Sequence, residues 1–176
     1  INGFGKTVGL VQIDELGAIE TPILLTNTLS VAACSAALIR DALARNPDIG
    51  RTTSTVNAVV GECNDGPLNN IQAMAVTEDH ARSALAAAHG GPVEQGSIGA
   101  GTGMTCFGFK GGIGSASKRL EIAGEDFHLG ALVLTNFGNA GDLILPDGRR
   151  PSPPDPEVKT TEKGSVIVVL ATDVPL

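Results

Sequence analysis

The run Gly164-Ser165-Val166-Ile167-Val168-Val169-Leu170 constrains this chain most. Four β-branched residues and a leucine in succession predict a strand buried on both faces. Before it lies the most polar, proline-rich stretch of the chain, residues 146–163, which reads as an exposed, mobile linker. Ser165 therefore stands where a loose segment meets a rigid strand, so its hydroxyl can be placed accurately. If the Gly164–Ser165 peptide bond were cut, Ser165 would carry both a hydroxyl nucleophile and an α-amine able to serve as its base. The same dipeptide is also ordinary turn chemistry ahead of a core strand.

A length of 176 residues predicts one domain over 1–176 with a real core. Net charge is −7, which argues against nucleic acid as a partner. No apolar run is long enough to predict a membrane span. No basic-then-apolar leader is visible, and the absence of a starting Met together with the abrupt end at Leu176 reads as a fragment. Cys34, Cys63 and Cys106 match no disulfide or metal framework. They suggest a reducing, cytoplasmic setting, with the periplasm left open. No metal or cofactor is expected.

Along the chain, Leu10 to Ile13 reads as a short strand and Ile23 to Leu25 as a second. Val31, Cys34, Leu38, Ile39 and Leu43 form a helical stripe from about Ser30 to Arg45, closed by Asn46-Pro47. Thr55 to Val60 alternates as a strand leading into a polar loop, Gly61-Glu62-Cys63-Asn64-Asp65-Gly66-Pro67-Leu68-Asn69-Asn70. Thr77 caps a helix running to about His89. Leu120 to Ile122 and Phe127 to Leu134 read as a hairpin around Gly124-Glu125-Asp126, and Leu143 to Leu145 as a further sheet segment.

Several residues could carry chemistry. Loops at strand ends are common places for sites, and the Glu62–Asn69 loop is crowded with hydrogen-bonding side chains, though Asn-Asp-Gly-Pro is also turn chemistry. Glu62 and Asp65 could form an acid/base pair or simply be solvated. Asn136, at a strand end before Phe137-Gly138, could aim its amide at a developing oxyanion or be a turn residue. The run Gly99-Ala100-Gly101-Thr102-Gly103 looks superficially like a phosphate loop. It is followed by Met104, Cys106, Phe107 and Phe109, which read as strand where a dinucleotide fingerprint needs a helix, and it has no Gly-Lys-Ser/Thr triplet, so close approach of backbones is the better reading. His80, His89 and His128 have no telling partners in the sequence.

Taken in order, these motifs resemble the L-aminopeptidase/D-esterase family, which includes D-aminopeptidases and β-peptidyl aminopeptidases. The resemblance rests on Asn2-Gly3-Phe4-Gly5, Thr26-Asn27-Thr28, Glu62-Cys63-Asn64-Asp65-Gly66 with Leu68-Asn69, Gly99 to Gly114, Asn136-Phe137-Gly138, and Gly164-Ser165 to Asp173. It implies a four-layer α/β/β/α sandwich of N-terminal-nucleophile type. It also implies a precursor that cuts itself between Gly164 and Ser165, so that residues 165–176 begin a smaller subunit. Ser165 would then be the nucleophile of a serine aminopeptidase, forming an acyl-enzyme with short peptides, amides or esters. Asn136 would be the oxyanion donor, and Glu62, Asn64, Asp65 and Asn69 would line the substrate pocket. A homo-oligomer, a tetramer, is implied as well. Lys6 stands where the family pattern suggests an acid, and Asn64 where an aromatic residue is frequent. Two other readings remain: an acyltransferase of the ornithine-acetyltransferase type, which usually presents threonine after the cut, and a non-catalytic homologue that binds small amino compounds.

Overall fold

The computed structural model describes residues 4–154 and 164–175. The second half of the expected linker, 155–163, lies outside the described residues. The chain divides into two compact units, Ile1–Gly91 and Pro92–Leu176.

The first unit is built on a β-α-β motif. Strand β1 (Ile23–Asn27) and strand β2 (Val59–Cys63) pair in parallel, from Ile23 opposite Val59 to Asn27 opposite Cys63. The connection between them carries helix α2 (Val31–Arg45), as a parallel pair requires. Most of the predicted stripe is buried: Val31, Cys34 and Leu38, joined by Ala37, face a core shared with Ala58, Val60 and Ala81, Ile39 packs against it half-buried, and Leu43, also expected in the stripe, is 40% exposed. Ala81 lies on helix α3 (Glu78–Ala87). Thr77 caps α3 as expected, in a capping box that His80 completes by accepting the Thr77 N–H at Nδ1, 3.1 Å away. His80 is therefore accounted for as a cap.

Two expectations fail here. Leu10 to Ile13 is not a strand but the start of helix α1 (Leu10–Leu16). Its β-branched residues suggested extension, yet Leu10 and Ile13 fall one helical turn apart as its half-buried apolar positions, and left-handed glycines bracket the segment, Gly9 at φ 88° and Gly17 at φ 62°. Gly9 has no room for a side chain, since a Cβ there would lie 2.4 Å from the Ala58 carbonyl oxygen. The second failure concerns β2, which runs from Val59 to Cys63 with every residue buried. Gly61, Glu62 and Cys63, expected in the loop, thus belong to the strand. A polar residue can sit in a buried strand when its atoms find partners, as those of Glu62 do.

Cys34 is buried to 3% exposure, and burial pushes its thiol above the ordinary cysteine range. The reactive thiolate is thereby disfavoured. We expect Cys34 to resist alkylation at pH 8 in the folded protein and to react once denaturant is added; peptide mass mapping of the labelled protein reads this directly.

The second unit holds a three-stranded antiparallel sheet in the order β5-β6-β7. Its strands are β5 (Gly112–Ile122), β6 (Glu125–Asn136) and β7 (Ser165–Thr172). The β5–β6 turn is Ala123-Gly124, one step before the expected position. Both residues have positive φ, 54° and 85°, as a tight two-residue hairpin demands. A small hairpin precedes this sheet, formed by β3 (Thr105–Cys106) and β4 (Phe109–Lys110). The glycine-rich run serves close backbone approach: a Cβ on Gly112 would lie 2.2 Å from the Gly96 carbonyl oxygen.

Strand β7 is where predicted, but it is not buried on both faces. Its exposure alternates, and Val166, Val168 and Leu170 are 51%, 55% and 67% exposed. One face of β7 is half-buried and the other is open to solvent in this chain. Leu143 to Leu145 forms no strand either. Leu145 instead closes a local loop, donating its N–H to Arg149 and accepting from Gly148 N–H. Within the described part of the proline-rich stretch, Pro153 is buried.

Candidate active site

Ser165 opens β7 and Asn136 closes β6, and the antiparallel register sets them directly opposite one another. The Asn136 Nδ2 donates to Ser165 Oγ at 3.4 Å. On its other side, Asn136 Oδ1 accepts the backbone N–H of Thr105 at 3.1 Å. An N–H cannot be accepted by an amide nitrogen, so this bond fixes which end of the amide faces the serine. Both residues are half-buried, leaving the serine hydroxyl accessible yet held.

The β3–β4 hairpin mounts this pair. Its two-residue turn, Phe107-Gly108, is left-handed at both positions, φ 51° and 79°. Phe107 donates its N–H to the Phe137 carbonyl at 2.9 Å, and the two rings meet edge-on with centroids 5.0 Å apart. Lys110 donates from Nζ to the carbonyls of Gly101 at 2.7 Å and Gly111 at 2.8 Å. Burial moves its ammonium below the usual lysine range. The glycine-rich run thus turns carbonyls toward a lysine, whereas a phosphate cradle would present amides.

His128 is the one histidine of this unit. It lies near the other end of the same strands, where its backbone N–H donates to Asp173 Oδ1 at 2.6 Å and its ring Nδ1 lies 3.2 Å from Oδ2. The backbone donor, then the ring, hold Asp173 below the usual carboxylate range. Leu129 pairs with Thr172 and Asn136 with Ser165, so roughly 23 Å of strand separates the dyad from the serine. It cannot act as a base there.

In the first unit, the expected loop residues gather where the parallel strands end. Glu62 is buried at 8% exposure. Its Oε1 accepts the Lys6 backbone N–H at 3.0 Å and its Oε2 the Thr28 hydroxyl. Asp65 is 5% exposed. Its Oδ2 accepts both the Asn27 and Asn69 side-chain amides, at 3.0 and 2.8 Å. Its backbone carbonyl takes the N–H groups of Leu68 and Asn69, which folds the loop back. Asn64 Oδ1 accepts the Gly66 N–H at 2.8 Å, a turn contact. The two carboxylates are bound by separate donors, and those donors are neutral. Crevices at the carboxyl ends of parallel strands are common ligand positions.

Sequence reasoning missed Asn27 and Thr28 as partners of the acids, and Thr105 and Phe107 as the mount of Asn136. For the first pair the signal was available: polar residues at the carboxyl end of one parallel strand face the loop that follows its neighbour. For Thr105 none existed, because it acts through its backbone N–H. No group of three or more histidine, cysteine or acidic side chains arranged to hold a metal occurs among the described residues. No helix among them is long and apolar enough to cross a membrane.

The fold can be set beside solved structures. The L-aminopeptidase D-Ala-esterase/amidase from Ochrobactrum anthropi, described as a prototype of the serine aminopeptidases and a variant of the Ntn hydrolase fold, superposes with a TM-score of 0.85 at 37% identity. That match covers 100% of this chain and 49% of the other. The PH0078 protein from Pyrococcus horikoshii OT3 gives 0.86 at 47% identity, over 100% and 48% of the two chains. This mixed α/β chain thus shares its fold with a variant of the Ntn hydrolase fold. Among curated proteins, the β-peptidyl aminopeptidase BapA of Sphingosinicella microcystinivorans is 36% identical over 99% of this chain and 47% of its own length. The match to peptidase family S58 runs over residues 1–176, and the chain belongs to that family. It spans about half the length of the curated relatives it matches.

Proposed function

We propose that this chain is the nucleophile-bearing part of a self-processing serine aminopeptidase. The observation that carries the reading is the Asn136 amide, locked by Thr105 and turned toward Ser165 Oγ. Ser165 Oγ attacks the Gly164 carbonyl carbon, the Gly164–Ser165 C–N bond breaks, and the acyl group moves to oxygen. Water hydrolyses that ester, leaving Gly164 as a carboxylate and Ser165 with a new α-amine. Residues 165–176 then begin the smaller subunit. In turnover the α-amine takes the Oγ proton as Oγ attacks the substrate carbonyl, and Asn136 Nδ2 donates to the oxyanion. The leaving amine departs with a proton, and water releases the acyl group.

Short peptides, amides or esters with an unblocked amino terminus are the proposed substrates, as the names of the relatives suggest. Glu62, Asn64, Asp65 and Asn69 are the proposed binding residues. Their two buried carboxylates are held by neutral donors, which leaves negative charge to match an ammonium. For the full-length protein we propose the four-layer α/β/β/α sandwich and a homo-oligomer. Intact mass spectrometry of full-length protein tests the reading: two pieces, the smaller beginning at Ser165, are expected, and a single uncut chain would remove it.

Asp65 separates holding from binding. Its Oδ2 takes both side-chain donors, while its buried Oδ1 has no hydrogen-bond partner among the described residues. Asp65→Asn can therefore keep both bonds on one oxygen, and should cost under about 1 kcal/mol in urea unfolding. Asp65→Ala strands the Asn27 amide and should cost about 1–3 kcal/mol. If the charge serves the substrate ammonium, Asp65→Asn should raise KM about tenfold with kcat nearly unchanged.

A further inference from the structure

We propose that Phe107 is a positioning residue for self-cleavage, acting through Phe137 on the residue before the cut. The proposal rests on the reading of Ser165 as the self-cleaving nucleophile. Gly164 lies hard against the end of β6: a Cβ built on it would fall 2.5 Å from both Cα and Cβ of Phe137 and 2.9 Å from the Asn136 carbonyl oxygen. Two of those three atoms belong to the backbone, so no side-chain rotation relieves the contact. The carbonyl under attack belongs to Gly164, and whatever holds this glycine sets the angle that Ser165 Oγ meets.

Phe137 is itself held at two points by Phe107. The Phe107 N–H binds its carbonyl and the Phe107 ring meets its ring. The ring also lies over the next residue, since a Cβ on Gly138 would be 2.3 Å from Phe107 Cδ1. Gly138 thus has to be glycine on grounds of space as well as its φ of 83°. Phe107 adopts a left-handed φ that costs an aromatic residue about 1–2 kcal/mol. Such strain persists where the surroundings over-determine it, commonly beside functional sites. The hairpin also supplies the Thr105 N–H that orients the Asn136 amide. One small element therefore fixes both the oxyanion donor and the surface against which the scissile peptide rests.

The experiment follows cleavage over time in freshly synthesised full-length protein by intact mass, in wild type, Gly164→Ala, Phe107→Ala, Phe107→Tyr and Ser165→Ala. A displacement of about 1 Å at reacting atoms costs on the order of 100-fold. Gly164→Ala should slow cleavage by about that factor, Phe107→Ala by about tenfold or more, and Phe107→Tyr, which keeps the ring, should restore it. Uncut Gly164→Ala should melt within about 2 °C of uncut Ser165→Ala, which separates misplacement from misfolding. If Phe107→Ala loses its melting transition, Gly164→Ala decides. Cleavage of Gly164→Ala and Phe107→Ala at the wild-type rate, with Ser165→Ala uncut, would overturn the positioning role and leave the nucleophile standing. Wild type that stays uncut would overturn both.

Discussion

Ser165→Ala should stay a single chain under conditions where the wild type is fully cut, and should lose hydrolysis by roughly a million-fold, the scale seen when the nucleophile of a serine hydrolase is removed. Two losses coincide. The methyl side chain cannot attack the Gly164 carbonyl, so no α-amine is released, and it cannot attack a substrate either. Stability should barely move. Ser165 is half-buried, and its hydroxyl accepts one long hydrogen bond, 3.4 Å, from Asn136. A hydrogen bond this long contributes little to folding. Ser165→Cys sharpens the test. Its thiol can attack the same carbonyl, so partial cleavage with a new amino-terminal cysteine would mark this position as the nucleophile and not only as the place where the chain breaks. Intact mass gives the cut, and progress curves on an amino-acyl amide give the rate. A Ser165→Ala protein that still hydrolyses substrate at the wild-type rate would assign the chemistry elsewhere.

The parts of the fold legible in the sequence were those with one strong local cause. Helix α2 declared itself by its apolar spacing and α3 by the Thr77 cap. The β5–β6 hairpin declared itself through Gly124. The failures came where context overrode local preference. Leu10 to Ile13 looked extended because Val11 and Ile13 are β-branched, but glycines at both ends bent it into a short helix. Glu62 looked like loop because it is charged, but Thr28 and the Lys6 N–H meet its carboxylate inside a buried strand. Val166 to Leu170 looked doubly buried because five aliphatics follow one another, yet burial of a second face depends on what covers it, which no local pattern records. The site divides the same way. Ser165 and Asn136 could be singled out as residue types at strand ends, and their pairing across β6 and β7 is a fact of register. The Thr105 amide that orients Asn136 has no signature, because every residue but proline carries one.

Asn136→Ala should lower kcat by about 100-fold or more, with KM within about twofold and the fold intact. In the resting protein Nδ2 reaches Ser165 Oγ only at 3.4 Å, so the ground state gains little from it. A tetrahedral oxyanion formed on the carbon that Oγ attacks would lie beside that oxygen and carry a full charge. A donor already turned toward it then needs no reorganisation as the charge develops, and it stabilises the transition state more than the bound substrate. That difference appears in kcat and not in KM. Asn136→Asp is the sharper variant because it keeps the shape and can still accept the Thr105 N–H. It turns a second oxygen toward the developing charge in place of a donor, so it should do at least as much harm as alanine. The proposed self-cleavage would pass through a similar oxyanion at Gly164, so both variants should also process slowly when followed by intact mass. If Asn136→Asp cut itself and turned over like wild type, the oxyanion would have to be met by another donor, and Asn136 would be left as a strand-end residue that merely satisfies Thr105.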